Sequence, residues 1–345
     1  LCLHEQLRRI CTESVGVQVP FFPPKHFLPL TNNQLEVRRQ ALEHYLQLVG
    51  QDARISKLPA FQQFLLQSQL ETALSATEGG AELEANVGKD LSLELTLANG
   101  RQLQVPNCCL EENASCLLSK CCDFLQLPRE YHSYFCLYLV HLTPDGALIL
   151  LRKLADFEAP LLSARHAAHL PCQIMLRKCY WSPAVDVELC SNTVALNLLF
   201  LQTLSDVQRE WVICTPEVLE KLQNHQDLGQ KREYLELASQ LPLYGGVQFA
   251  LRTIVDYPEP QTCSIISIGN RELSMRTPKG NKIYETKFRV TRMRCWRVTA
   301  IHGGSSCSSE DEMLENRCSS TLSANLQLSF EYLMANKTLR WITIT

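Results

Sequence analysis

The sequence holds no run approaching ~18 uninterrupted apolar residues, so it offers no helix able to span a bilayer. It has no excess of positive charge either. With a formal net charge of -3 over 345 residues, it lacks the broad basic field that non-specific nucleic-acid binding needs. Nucleic acid is therefore not an expected partner, and any anionic ligand must be met by a local cluster. There is no P-loop, no Gly-x-Gly-x-x-Gly and no Gly-x-Ser-x-Gly elbow. The paired glycines at 79–80, 245–246 and 303–304 lack the strand–turn–helix setting that cradles phosphates. His166-Ala-Ala-His169 has no glutamate of the zinc-protease kind and stands just before Pro171, so it reads as surface loop. No secretory signal opens the chain. The pairs Cys108–Cys109 and Cys121–Cys122 lack Cys-x-x-Cys spacing. The sixteen cysteines thus read as reduced thiols of a cytosolic protein, serving as small hydrophobes. Nothing calls for a catalytic residue, a metal or a cofactor, and the expected class is a non-enzyme.

What is present is an ordinary globular balance, 46% hydrophobic and 20% charged, in a chain too long for one domain. Leu1 stands where a Met would open a protein, and Trp341-Ile342-Thr343-Ile344-Thr345 is strand-like to its last residue. The expectation is a fragment lacking both termini. Leu3, Leu7 and Ile10 mark a helix within 1–12. Val19-Pro20-Phe21-Phe22-Pro23-Pro24-Lys25 is an extended proline loop, because consecutive prolines fix φ and forbid helix. Asn32 or Asn33 can cap a helix running to about Val49, with Leu35, Leu42, Tyr45, Leu46 and Val49 as its stripe. Another helix follows Pro59, and residues 71–90 have linker composition.

Leu91, Leu93, Leu95 and Leu97 alternate up to Asn99-Gly100, and Leu103 and Val105 alternate after it, which is a strong hairpin signal. A helical run near 110–125 and strands at Phe135–Leu142, Ala147–Leu151 and Gln173–Leu176 complete an α+β unit. Helical periodicity then covers Val194–Leu204, Pro216–Gln223 and Arg232–Leu241. Beyond Tyr244-Gly245-Gly246 the period returns to two. Strands are expected at Ser264–Ile268, Glu272–Met275, Phe288–Thr299, Leu326–Leu333 and Leu339–Thr345, interrupted by a polar, mobile insertion at 302–320.

Lys25 ends a stiff Pro-Pro turn, and Arg38 and Arg39 lie early on the returning helix. Together they could form a pocket for a phosphate group, although basic residues on a solvated helix face look the same in sequence. Trp296 stands in a strand among Arg292, Arg294 and Arg297, and is either a core tryptophan or a surface anchor. In Leu326–Tyr332 the alternation puts Leu326, Leu328, Phe330 and Tyr332 on one face and Gln327, Ser329 and Glu331 on the other. Leu333 falls on that polar face, either tucked under a loop or open to a ligand.

Two sets of motifs carry a resemblance to a family. Phe22-Pro23-Pro24-Lys25 with Arg38-Arg39 and Ala41-Leu42-Glu43-His44-Tyr45-Leu46 resembles the proline loop and following helix of PX domains. Four further runs are similar to those of the sorting nexin-17/31 type of PX-FERM sorting nexin. They are Leu151-Arg152-Lys153-Leu154, Leu176-Arg177-Lys178-Cys179-Tyr180-Trp181, Arg289 through Thr299, and Phe330-Glu331-Tyr332-Leu333-Met334. The resemblance implies an α+β multidomain fold. Its parts are a PX domain over 1–71 without its opening strands, a linker over 72–90 and a ubiquitin-like lobe over 91–182. A helical lobe over 183–246 and a phosphotyrosine-binding-like lobe over 247–345, short of its closing helix, follow. It implies that Lys25 and Arg38 bind phosphatidylinositol 3-phosphate. It further implies that Trp296 and Leu333 line a groove for Asn-Pro-x-Tyr or Asn-x-x-Tyr signals in receptor tails, of the LDL-receptor-family and integrin beta kinds. The implied role is endosome-to-plasma-membrane recycling by a cytoplasmic adaptor peripheral on early endosomes. A retriever-type recycling complex would be engaged through a C-terminal tail absent from this sequence. The alternative is a FERM-type cytoskeletal or small-GTPase-binding scaffold.

Overall fold

The computed structural model describes residues 2–25, 29–75, 83–144, 146–165, 171–249, 251–280, 282–301 and 325–345. His166 and His169, the glycine pairs at 79–80 and 303–304, and the insertion at 302–320 lie outside them. Contacts divide the chain into two units, residues 1–142 with 151–178, and residues 143–150 with 179–345.

The first unit opens with α1 (Cys2–Ile10) and reaches α2 (Asn32–Gln51) through the proline loop. The cap of α2 is Thr31 rather than Asn32 or Asn33. The Thr31 side chain accepts from Gln34 N, and Gln34 Oε1 accepts from Thr31 N at 2.9 Å. The reciprocal capping box outweighs a lone asparagine. After α3 (Ala53–Ser56), Pro59 starts α4 (Pro59–Leu74), where its missing N–H costs nothing. Leu3, Leu7, Tyr45, Val49, Ile55 and Phe61 bury against one another.

Helix α4 has a second partner. Its Leu66 and Ala73 share a core with Leu110, Ala159 and Leu162. Gln69 accepts from Ala159 N at 2.7 Å and donates to Ser163 Oγ at 3.0 Å. Ser163 in turn donates to Glu158, which Arg152 grips with two bonds of 2.6 and 2.7 Å. The apolar face and the polar tie both fix α4 onto the next lobe.

That lobe contains β1 (Leu91–Leu97), β2 (Gln102–Cys108), α5 (Ala114–Phe124), β3 (Phe135–Leu142), β4 (Leu148–Lys153), α6 (Pro160–Arg165) and β5 (Cys172–Lys178). The hairpin turns at Asn99-Gly100 as expected. Gly100 sits at φ +82°, a conformation that glycine adopts without strain, and Leu97 N bonds Arg101 O at 2.8 Å. The sheet order is β2-β1-β5-β3-β4 with β1 and β5 parallel, the arrangement of a ubiquitin-like fold.

The second unit begins with α7 (Pro183–Leu189), α8 (Thr193–Gln208), α9 (Pro216–Asp227) and α10 (Lys231–Ala238). The buried Asp186 carboxylate accepts from Tyr180 OH at 2.5 Å and Tyr244 OH at 2.7 Å. Burial first, and then the Asp186 charge, push both phenols far up. The close backbone at Gly246 leaves no room for a side chain, since a Cβ would lie 2.9 Å from Leu243 O.

The sheet that follows consists of β6 (Val247–Gln248), β7 (Arg252–Ile254), β8 (Thr262–Gly269), β9 (Glu272–Lys279), β10 (Lys282–Arg289), β11 (Met293–Ile301), β12 (Asn325–Leu333) and β13 (Leu339–Ile344). Its order is β10-β9-β8-β7-β13-β12-β11, with β6 on β8. The single strand expected at Phe288–Thr299 is two. A 3₁₀ turn at Val290–Arg292 breaks it, held by Val290 N donating to Arg271 O at 2.9 Å. The break sends β10 and β11 to opposite ends of the sheet. Ile254, Ile266, Leu273, Met275, Phe288, Phe330, Tyr332, Ile342 and Ile344 form the core.

Candidate functional site

Two places gather chemistry. The first is the proline loop, where Pro20, Pro23 and Pro24 impose an extended path. Arg38 Nη1 donates to Pro24 O at 2.6 Å, which brings its guanidinium to the residue next to Lys25. Lys25 is exposed and Arg38 partly so. Arg38 thus reaches the backbone carbonyl that precedes Lys25. Arg39 does not join it. Its guanidinium bonds Glu36 at 2.7 and 2.9 Å and Glu43 at 2.9 Å, so its charge is already balanced. Hydrogen bonds from Arg39 and Gln40 hold the Glu36 carboxyl down to about 2. Phe22 packs edge-on against Tyr45, with ring centroids 5.0 Å apart.

The second is the free edge of β11. Among the described residues β11 pairs only with β12, so one side of its backbone is unpaired. Trp296 lies opposite Phe330 in register yet is 71% exposed, because it faces the core side of the sheet at its uncovered end. Val298, two residues on, is exposed on the same side. Leu333 lies opposite Leu339 and is 37% exposed. Phe330 and Leu333 are an odd number of residues apart, so Trp296 and Leu333 belong to opposite faces of the sheet. The structure does not bring them together on one wall.

The arginines around Trp296 are drawn back across the sheet. Arg294 pairs with the buried Glu331 carboxylate, Arg297 stacks over Trp341 at 4.8 Å, and Arg292 lies over Tyr332 and donates to Met334 O at 3.0 Å. The face the sequence reads as polar is thus buried: Glu331 is paired, and Ser329 donates to Thr343 Oγ1 at 3.3 Å. This leaves an edge that offers backbone groups and an indole beside arginines tied across the sheet, of which Arg294 and Arg297 stay exposed. Edge strands are commonly blunted by charged side chains in this way.

Elsewhere, the fourteen cysteines among the described residues form no disulfide with one another. Burial pushes the Cys122 thiol up to about 12. No group of three or more His, Cys, Asp or Glu among the described residues could hold a metal ion.

Residues 1–68 match the PX domain family. Residues 91–181 match the F1 lobe of the sorting nexin 17/27/31 FERM domain, residues 182–242 the F2 lobe of the sorting nexin 17/31 FERM domain, and residues 245–345 the sorting nexin 17 FERM C-terminal domain. Sorting nexin-17 of Homo sapiens is 39% identical over 100% of this chain and 69% of its own length. Sorting nexin-31 of Mus musculus is 34% identical over 95% of this chain and 69% of its own. A solved MyTH4-FERM domain of Dictyostelium discoideum myosin VII superposes with a TM-score of 0.47 at 10% identity, over 91% of this chain and 75% of that one. That likeness is too loose to carry an argument.

Proposed function

The chain belongs to the sorting nexin-17/31 type of PX-FERM sorting nexins, and from that premise we propose that it couples a phosphatidylinositol 3-phosphate membrane to receptor tails bearing Asn-Pro-x-Tyr or Asn-x-x-Tyr. As an endosomal sorting nexin it is built from PX and FERM domains, which are non-catalytic adaptor families. No described helix is long and apolar enough to cross a membrane.

The observation that carries the tail-binding half is the edge of β11, unpaired among the described residues, with Trp296 standing open beside it. An extended peptide can add to such an edge by main-chain hydrogen bonds, while side-chain contacts select it. Trp296 supplies the apolar anchor, and Leu333 meets the part of the tail that passes the end of β12. Tails of LDL-receptor-family and integrin beta proteins are the cargo to try first. In the lipid half, Lys25 provides a point charge and Arg38 a fork for the ring phosphates. Two contacts of modest strength on one molecule would favour early endosomal membranes that display both ligands, and recycling through a retriever-type complex would follow.

Calorimetric titration with an Asn-Pro-x-Tyr peptide tests the first half, with the Tyr→Ala peptide as control. Equal affinity for the two would sink it. In vesicle sedimentation, Arg38→Ala should weaken binding to phosphatidylinositol 3-phosphate by about 10- to 100-fold, the worth of a charged hydrogen bond. Arg38→Lys should recover only part of that, lacking the fork. Retained selectivity in Arg38→Ala would overturn the lipid assignment.

A further inference from the structure

We propose that His4 is a positioning residue of the phosphoinositide site, a latch that holds the proline loop against α2 while its imidazole is neutral. The inference rests on the lipid reading of Lys25 and Arg38.

Three segments far apart in sequence meet at His4. Its ring stacks on Phe22 of the loop with centroids 5.2 Å apart and planes 29° from parallel. Its Nδ1 lies 3.0 Å from Tyr45 OH on α2. Tyr45 closes the triangle edge-on against Phe22 at 5.0 Å. The loop needs such a hold, because Pro20, Pro23 and Pro24 have no N–H to fix it through backbone bonds. Arg38 grips the loop at Pro24 O, and the His4–Phe22–Tyr45 cluster grips it two residues earlier. Lys25 follows directly. A loop loosened at Phe22 must be ordered when the lipid binds, and that ordering subtracts from affinity.

The groups facing His4 among the described residues are Arg8 and Glu5 on α1, Tyr45 on α2, and Phe22 from the loop. Burial first, and Arg8 second, hold its proton affinity below the ordinary imidazole value. The folded cluster therefore favours the neutral ring. Its contribution is complete above the ordinary histidine range and is lost as pH falls through that range towards the lowered value. A neutral ring carrying its proton on Nε2 accepts a hydrogen bond from the Tyr45 hydroxyl at Nδ1. A doubly protonated ring can only donate to that oxygen, and it sets a charge beside Arg8.

The test is vesicle binding by the intact protein between pH ~7.5 and ~5.5, on phosphatidylcholine with and without phosphatidylinositol 3-phosphate. The lipid phosphate itself titrates near pH ~6, so the reading is the difference between wild type and His4→Gln. At the upper pH, His4→Gln should bind about three- to tenfold more weakly than wild type, the worth of one hydrogen bond and a ring contact. Towards the lower pH the two should converge. His4→Phe keeps the ring without the titration, and should bind more tightly than His4→Gln with no convergence of its own. Far-ultraviolet circular dichroism of the intact protein serves as the folding control and should not change. Parallel pH profiles for wild type and His4→Gln, or equal affinities at the upper pH, would overturn the latch alone. Absence of wild-type binding at every pH would overturn the lipid reading and the latch together.

Discussion

Trp296→Ala should weaken binding of an Asn-Pro-x-Tyr peptide by about thirtyfold or more, the loss of a central aromatic anchor worth ~2 kcal/mol or above. The indole is 71% exposed on the edge strand, so truncation removes a contact surface rather than a piece of core. The melting temperature should accordingly move little, since surface substitutions away from special features stay within about 0.5 kcal/mol. Leu333→Trp should also lower affinity, by adding bulk at the end of β12. The two residues belong to opposite faces of the sheet, so their effects should add to within about 0.5 kcal/mol in the double variant. Strong coupling would mean that one pocket holds both, against the register of Trp296 with Phe330 and of Leu333 with Leu339. Unchanged affinity in both single variants would remove the β11 edge as the cargo site.

Phe288→Ala should cost about 3–5 kcal/mol of stability in the second unit. Its ring is 1% exposed and touches three others, Tyr257 at 5.7 Å, Phe330 at 5.4 Å and Tyr332 at 5.0 Å. Those are edge-to-face contacts, which add to the area buried. Against a typical total of about 5–15 kcal/mol, a large share of the unit's stability would be gone. Because Phe288 stands just before the 3₁₀ turn that launches β11, peptide binding should fall with it. On the lipid reading proposed above, vesicle binding rests on residues of the first unit and should persist. Urea denaturation followed by tryptophan fluorescence measures the first effect. A midpoint within error of wild type would show that the cavity collapses.

The elements with strong local signals were legible. Asn99-Gly100 between alternating leucines gave the hairpin, and proline at 59 and 216 marked the starts of helices. The 3₁₀ break at Val290–Arg292 was not legible, because residues 288–299 keep a strand-like composition throughout. What bends them is a bond from Val290 N to Arg271 O, a partner nineteen positions away. The burial of Ser329 and Glu331 was hidden for the same reason, since their partners Thr343 and Arg294 come from neighbouring strands. At the candidate sites, Lys25 and Arg38 were singled out by type and position, but the bond from Arg38 to the Pro24 carbonyl carries no sequence signature. Arg39 could have been set aside beforehand. Glutamates three before and four after it, at 36 and 43, have the spacing of helical ion pairs.

The way α4 is shared bears on how such proteins can be assembled. A helix that closes the lipid-reading domain also supplies Leu66, Ala73 and Gln69 to the lobe after it. A cut made at the linker would strand an apolar stripe on one piece and open a trough on the other. Recombination that exchanged the membrane reader for an unrelated one would have to bring a helix with the same face. The seam therefore favours inheritance of the two modules as a pair, and an expression boundary drawn after residue 74 should yield less soluble protein than one that keeps the pair intact.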